Sequence, residues 1–453
     1  MNPKSPLVTP VTRRSFVQKT SAGVAGGMLL GALAPDRFAL GAGNSDELKI
    51  ALVGCGGRGS GAADQALSTY QQGPVKLVAM ADVHEDRLKS SLKNLENTHG
   101  ARVDVPPDRQ FLGFDAYKKA IATADVVILA TPPGFRPIMF EEAVKAGKNV
   151  FSEKPVATDA AGVRKFLAAA EEAKKKNLKV GIGLQRHHQD GYIETVKRLH
   201  EGAVGDIVSM RCYWNGQRPW QHKRADLEKQ YGRKLTELEY QMRNWYYFSW
   251  ICGDHIDEQH IHNLDVINWV KNGHPVKGRA MGGREVDYGG TDDGNIFDHF
   301  ACQFDYDDGS ICFSECRHQP GAWNSVSEHV QGTKGRCDVS AYKIYGDNQW
   351  RYKDEGAKNP YQQEHDDFFH AIRNNEEYNE AVYGAESTMT ALFGRMCAYS
   401  GKELTWDQAL NSKVEVFPFY NSDGKIDWDS GAVPQPGPDG FYPRAVPGKT
   451  EVI

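Results

Sequence analysis

Glu258 and His262 stand four residues apart in Cys252-Gly253-Asp254-His255-Ile256-Asp257-Glu258-Gln259-His260-Ile261-His262-Asn263-Leu264-Asp265. On a helix that spacing turns both side chains to one face, where one can orient or charge-stabilise the other. Lys154, in Glu153-Lys154-Pro155, follows the apolar run Asn149 to Ser152. A lysine at the carboxyl end of a strand beside a nicotinamide can donate a hydrogen bond to a substrate hydroxyl and lower its pKa as hydride leaves. The competing reading is a surface lysine before a proline turn. Gly54-Cys55-Gly56-Gly57-Arg58-Gly59 is a GxGxxG run between an apolar stretch and a helix-compatible one. In such a run Gly54 allows the tight turn, Gly56 lets backbone approach a pyrophosphate, and Gly59 lets helix and strand pack closely, with Gly57 and Arg58 in the same loop. Asp82 closes the next apolar run, where a carboxylate accepts hydrogen bonds from a ribose and repels a 2′-phosphate, so NAD is expected ahead of NADP. Thr131-Pro132-Pro133 ends a further run and can floor the nicotinamide, although a structural turn explains the prolines equally well.

His255, Glu258, His260 and His262 are all ligand types for zinc or manganese. On one helix, however, His260 and His262 point about 200° apart, so no metal site is expected. The segment from Trp214 to Trp250 is rich in aromatic residues, with Trp220, Trp245, Tyr246 and Tyr247 between them. Aromatic faces stack on the CH-rich faces of sugar rings, which makes Trp214, Trp245 and Tyr246 candidate substrate contacts; core packing is the plain alternative. His260, and Arg186 and His187 of Gln185-Arg186-His187-His188, are further candidates for binding hydroxyls. A structural arginine at a domain junction is as good a reading of Arg186.

The elements that must position these residues begin with alternating strand and helix patterns. Apolar runs at 48–54, 76–81, 125–131, 148–152 and 178–184, with helical stretches at 59–68, 135–145 and 159–176, predict a doubly wound parallel sheet. Beyond Asp206 the strands lengthen and alternate, at 206–215, 276–287, 296–306, 310–317 and 325–331, which predicts an α/β unit with an open, mostly antiparallel sheet. The charged insertion 223–243 reads as a helix over the cleft, and the Pro- and Gly-rich tail as a surface arm.

The glycine run, Asp82, Thr131-Pro132-Pro133 and Glu153-Lys154-Pro155, in that order and spacing, resemble the glucose-fructose oxidoreductase, inositol dehydrogenase and rhizopine-catabolism (Gfo/Idh/MocA) family. The resemblance implies an NAD(P)-binding Rossmann domain followed by an α/β domain whose open sheet holds substrate and often supports homo-oligomers. It also implies a helix bearing Asp and His four residues apart, the His accepting the proton. Here Glu258 stands for the Asp and reaches one methylene further, while His262 matches the base.

The 453 residues carry 54 Lys and Arg against 59 Asp and Glu, a net charge of -5 that implies no attraction to nucleic acid or anionic membrane. Thr12-Arg13-Arg14-Ser15-Phe16-Val17-Gln18 precedes an apolar run from Ser21 to Ala34 and reads as a twin-arginine export signal. A membrane anchor needs roughly 20 apolar residues, more than this run offers. The expected division is a leader at 1–42, a Rossmann domain at 46–186, a substrate and oligomerisation domain at 187–430 and an arm at 431–453. Export implies the periplasm, the twin-arginine machinery as a partner, and a cofactor inserted before translocation. The eight cysteines show no CxxC pair. Together these features lead to an exported NAD(P)-dependent oxidoreductase acting on a sugar, glycoside or cyclic polyol with a tightly held nucleotide. The alternatives are a redox-neutral glycosidase or epimerase on the same scaffold, and a sugar-binding protein without catalysis.

Overall fold

Runs of Val, Ile, Leu and Ala with no polar alternation suit strands covered on both faces, and five such runs join the short edge strand Gln110–Leu112 in one parallel sheet. The computed structural model describes residues 46–353, 356 and 358–453; the twin-arginine run and the expected leader lie outside them. The first half of the chain runs β1 (Leu48–Val53), α1 (Gly57–Ser68), β2 (Val75–Asp82), α2 (Glu85–His99), β3 (Gln110–Leu112), α3 (Ala116–Ala122), β4 (Val126–Leu129), α4 (Arg136–Lys145), β5 (Asn149–Ser152), α5 (Ala160–Lys175) and β6 (Val180–Ile182). The strand order is β3-β2-β1-β4-β5-β6. The order in which strands are added reverses between β1 and β4, which run parallel, and a crevice opens at the carboxyl ends of strands at such a switch point.

α6 (Asp190–His200) leads to β7 (Ile207–Gly216), which is followed by α7 (Arg224–Tyr231), α8 (Glu237–Arg243), α9 (Ser249–Cys252), α10 (His255–Glu258) and α11 (Ile261–Lys271). Then come β8 (Lys277–Gly283), β9 (His299–Asp305), β10 (Ile311–His318), β11 (Ser325–Gly332), β12 (Gly335–Asp338), β13 (Lys343–Gly346) and β14 (Trp350–Arg351), and last α12 (Pro360–Asn374), α13 (Ala381–Ser400), β15 (Leu404–Thr405) and α14 (Trp406–Leu410). The second sheet runs β14-β13-β12-β11-β7-β10-β9-β8-β15. Every pairing in it is antiparallel except β7 with β10. Along β10 Cys312, Ser314, Cys316 and His318 turn inward while Phe313 and Glu315 face out. Helices α10, α11 and α13 pack on this side. Among the described residues no helix is long and apolar enough to cross a membrane.

Three of the expected elements take a different form. The insertion 223–243 is two helices, because Gly232 takes a left-handed conformation at φ 65° and Thr236 restarts the chain with a capping box to Glu239. Glu258 and His262 do not share one helix: α10 ends at Glu258 and α11 starts after the linking pair Gln259-His260. The tail 431–453 has no helix or strand but is tied down. Val433, Tyr442 and Val452 are buried, Gln241 donates to the Pro434 carbonyl, and the Tyr442 hydroxyl donates to Glu237.

α12 also returns to the first sheet, where Phe368 and Phe369 join Ile50, Leu52 and Phe151 in one core cluster. Residues 46–453 form one compact unit.

Gly59 is required by packing. A Cβ there would lie 1.9 Å from the Gly54 carbonyl oxygen, a backbone atom that cannot swing away. Gly59→Ala is expected to destabilise the fold by about 3 kcal/mol, read from chemical denaturation; unchanged stability would contradict this packing.

Candidate active site

A cavity of about 790 Å³ runs along the carboxyl ends of β1, β2, β4 and β5 and is closed from the other side by residues of the second half of the chain. At one end β1 turns sharply at Gly54, whose φ is 94° and where a Cβ would sit 2.6 Å from the Ala130 and Thr131 backbone. A Cβ at Gly56 or Gly57 would meet nothing within 4 Å, so these two glycines leave room beside the cavity that packing does not demand. α1 begins there with Gly56 as an N-cap that offers no side chain. The first-turn N–H groups of this helix are therefore free to bind an anion. Gly56→Ala is expected to leave thermal stability unchanged and to weaken dinucleotide binding about tenfold, measured by fluorescence titration.

Asp82 lines the cavity at the end of β2. Its carboxylate accepts from the backbone N–H of Cys55 at 2.6 Å and of His84 at 2.8 Å. Burial raises its pKa above the ordinary carboxylate value against those bonds. Thr131 and Pro132 line the wall after β4. These groups fit a dinucleotide: a glycine cradle, an uncapped helix start and a carboxylate one strand over. Arg58 also faces the cavity, but its guanidinium is paired with Glu153 at 3.0 Å and lies 5.1 Å over the Tyr361 ring. Glu153 is buried against Gly183, where a Cβ would come within 2.6 Å of its carboxylate.

Lys154 follows β5 and precedes a cis peptide bond to Pro155. Its Nζ donates to the Glu258 carbonyl at 2.6 Å and lies 3.3 Å from the Glu258 carboxylate. The break between α10 and α11 has a consequence here: Glu258 is turned to Lys154, and the expected orienting pair with His262 is replaced by a lysine-carboxylate pair. His262 lines the same cavity from α11, and its Nδ1 has no hydrogen-bond partner among the described residues. Burial pushes its pKa well below the usual imidazole value, and the charges of Lys154 and Arg186 push the same way. The imidazole is therefore neutral and able to accept a proton at ordinary pH.

Trp245 and Tyr246 line the cavity with Trp220 and His222. Trp220 meets Trp245 edge-on at 5.8 Å, and the buried Tyr246 hydroxyl has no partner among the described residues. The remaining candidates lie outside the lining, and each has found a protein partner, as buried polar groups do. Trp214 backs His262, its ring stacked 6.0 Å away. Arg186 pairs with buried Glu328 and donates to the His262 carbonyl at 3.0 Å. His187 pairs with Asp265 at 2.9 Å and is sandwiched between Trp269 and Tyr383. His260 bonds the Ser314 hydroxyl at 2.7 Å beneath the second sheet. His255 is engaged by Asp254 at 3.0 Å, so the four groups weighed as metal ligands do not converge.

Gln259, Arg136 and Arg243 are among the lining residues to which the sequence assigned no role. Gln259 lines the cavity, and its side-chain amide oxygen Oε1 accepts from His318 Nε2 at 2.7 Å, which leaves the amide NH2 as a donor. Arg136, buried in the first turn of α4, donates to the Pro155 carbonyl and braces the turn after Lys154. Arg243 closes one end from α8. Polar residues beside the catalytic segment signal Gln259, but nothing local marks Arg136 or Arg243.

Burial also holds other histidines neutral: His84 is pushed down to about 3, and His318 and His365 well below the usual value. Below about pH 6.5 the unfolded chain protonates these three and His262 while the native state does not, so stability falls as pH falls. Well below that pH each contributes about 1.4 kcal/mol per pH unit. His188 acts oppositely. Although burial lowers it, Asp367 and Glu380 hold it up to about 10, so its contribution is full below pH 6.5 and fades toward pH 10. Asp257 and Glu364, whose carboxyls burial raises well above their ordinary value, act in the opposite sense, so the histidine contribution is read by difference: His365→Gln is expected to reduce the acid-side fall of the denaturation midpoint between pH 7 and pH 5, and an unchanged slope would contradict a buried neutral imidazole.

Residues 48–182 match the family described as "Oxidoreductase family, NAD-binding Rossmann fold" (Gfo/Idh/MocA). An inositol 2-dehydrogenase/D-chiro-inositol 3-dehydrogenase of Shouchella clausii (strain KSM-K16) is 26% identical over 198 residues, 44% of this chain and 46% of the relative. An inositol 2-dehydrogenase of Acidiphilium cryptum (strain JF-5) is 24% identical over 53% of this chain and 59% of its own length. The chain thus spans about half the length of the curated relatives it matches. Among solved structures, scyllo-inositol dehydrogenase from Lactobacillus casei with bound NAD(H) and scyllo-inositol superposes with a TM-score of 0.59 at 22% identity, over 80% of this chain and 99% of that one. Aldose-aldose oxidoreductase from Caulobacter crescentus does so with a TM-score of 0.61 at 18% identity, over 79% and 99%. These structural likenesses place the two-sheet fold. Over residues 48–182, in its first sheet and the helices around it, the chain is thus similar to the Gfo/Idh/MocA oxidoreductases with their NAD-binding Rossmann fold.

Proposed function

We propose that this protein is an exported oxidoreductase that oxidises a hydroxyl of a cyclic polyol, sugar or glycoside, with a dinucleotide held in the cavity. The observation that carries this reading is the meeting of Lys154, at the end of the first sheet, with His262, from the second half of the chain, on one cavity that also reaches Asp82 and the uncapped start of α1. When bound, the nicotinamide supplies the hydride acceptor. Lys154 donates a hydrogen bond to the reacting hydroxyl and stabilises the oxyanion character that grows as the C–H bond breaks. His262, held neutral, takes the hydroxyl proton. Glu258 keeps the Lys154 ammonium in place. Trp245, Tyr246 and Trp220 offer ring faces, and the Gln259 amide a donor, to a neutral ring bearing hydroxyls.

Asp82 supports NAD over NADP, since its carboxylate repels a 2′-phosphate. The inositol dehydrogenases among the relatives support a cyclic polyol or sugar. The Arg13-Arg14 run supports export to the periplasm through the twin-arginine machinery, where free dinucleotide is scarce and a retained, internally recycled cofactor is favoured. Exposed Met281 and Phe313 on the second sheet's outer side, with exposed Trp323 in the loop between β10 and β11, support a homo-oligomer through that sheet.

The test is to denature the purified protein, identify any released nucleotide, and follow nicotinamide absorbance in the native protein as polyols, sugars and aryl glycosides are added. Bound NAD reduced by one of them is the expected result. Protein that neither carries nor binds a nicotinamide dinucleotide would overturn the reading. Aglycone release with no net absorbance change would replace it by the redox-neutral one.

A further inference from the structure

We infer that Arg243 and Asp86 form a latch across the cavity's Asp82 end that sets how fast a bound dinucleotide leaves. The inference rests on the reading that the cavity holds a dinucleotide. Arg243 is the last residue of α8, which belongs to the second half of the chain, and Asp86 lies in the first turn of α2, four residues after Asp82. The guanidinium donates two hydrogen bonds to the carboxylate, Nη1 to Oδ2 at 2.9 Å and Nη2 to Oδ1 at 2.6 Å. This is the fork geometry that makes an arginine-carboxylate pair strong and directional. The Arg243 side chain is only 12% exposed, while that of Asp86 is 56% exposed, so the pair has one end in the wall of the cavity and the other at the surface.

Two further observations make the pair a barrier. A second cavity, of about 390 Å³, lies on the outer side of Arg243. It shares only Val83, His84 and Arg243 with the first and adds Asp86 and Trp428 to its own wall. These shared side chains are thus a partition between the two spaces, and opening the ion pair would join them. α8 itself is fixed at its start, where its Thr236 cap donates to the Trp428 carbonyl and the Trp428 ring rests on His84 at 5.9 Å and Phe114 at 4.7 Å. Its end is tied across to α2 by Arg243. In a Rossmann fold the adenosine half lies by the carboxylate that ends the second strand, here Asp82. The adenosine half leaves past this end, so release requires the ion pair to open, and the nicotinamide chemistry at Lys154 and His262 is untouched by it.

The experiment measures release of pre-bound NADH from the full-length protein after a chase with excess NAD, following NADH fluorescence at low and high salt. In wild type, release is expected to accelerate with salt because screening weakens the partly exposed pair. Asp86→Ala is expected to release NADH roughly tenfold faster at low salt and to lose that salt dependence. The charge-exchanged double variant, Asp86→Arg with Arg243→Asp, should recover slow release, an effect that loss of local packing would not produce. Asp86→Ala and Arg243→Ala both releasing NADH at the wild-type rate would overturn the latch while leaving the dinucleotide reading intact. Wild-type protein that binds neither NADH nor NADPH at equilibrium would overturn the dinucleotide reading and the latch with it.

Discussion

Lys154→Met lowers kcat by about a thousandfold while equilibrium binding of the dinucleotide stays within a few fold of wild type. The substitution keeps the length of the side chain but removes the one ammonium, among the described residues, on the cavity wall between the glycine cradle and His262. The glycine turn, the start of α1 and Asp82 do not touch it, so the nucleotide site stays assembled. Lys154 is only 14% and Glu258 16% exposed, and deleting the cation leaves a carboxylate in a partly desolvated place. Some loss of stability accompanies the loss of rate, because an unpaired buried charge is costly. Lys154→Arg is expected to be nearly as slow, since a planar fork cannot take the place of a point donor set by one carbonyl at 2.6 Å. The check is a single-turnover absorbance change together with a nucleotide titration. Wild-type turnover in Lys154→Met would remove the lysine from the chemistry.

His262→Gln lowers kcat by about a hundredfold or more and changes the pH profile. Only the neutral imidazole accepts a proton, so activity is lost on the acid side as His262 protonates. Because burial, Lys154 and Arg186 all push that protonation down, the acid limb of wild-type kcat/KM is expected well below pH 6.5, and in His262→Gln this limb should disappear. Arg186→Lys bears on the same point. It weakens the Nη1 contact to Glu328 and the bond from the same nitrogen to the His262 carbonyl, so it should raise KM less than it lowers kcat. An acid limb at or above pH 6.5 would show that the imidazole is solvated, and thus not seated as described.

Much of the first half of the chain was legible because its determinants are local. Apolar runs bounded by Gly, Asp or Pro are strands wherever both faces are covered, and the observed β1, β2, β4 and β5 fall within a few residues of 48–54, 76–81, 125–131 and 148–152. Gly54 and Gly59 read correctly for the same reason, since positive φ and close packing demand the residue type at that place. The short edge strand β3 was missed because its three residues make no pattern.

Long-range pairings were less visible. Arg186, His187 and His260 have the chemistry of sugar contacts, yet Glu328, Asp265 and Ser314 claim them, partners 142, 78 and 54 residues away. Spacing placed Glu258 and His262 on one face of one helix. The chain instead breaks at Gln259-His260, and Glu258 finds Lys154 104 residues away. The two-helix insertion carries its own signals in Gly232 and the Thr236 capping box, but its reach to Asp86 does not. Likewise, amphipathic periodicity in α12 tells that one face is covered, and not that the first sheet covers it.

Hydride transfer at the Lys154–His262 end of the cavity is tested most directly by isotope. The protein is given a cyclic polyol bearing deuterium on each ring carbon, quenched after one turnover, and its released nucleotide is examined by mass spectrometry. Reduced NAD carrying one deuterium from wild type, and unlabelled oxidised NAD from Lys154→Met, is the expected result. Reduced nucleotide without label, or label appearing equally in the Lys154→Met protein, would contradict hydride transfer at this site.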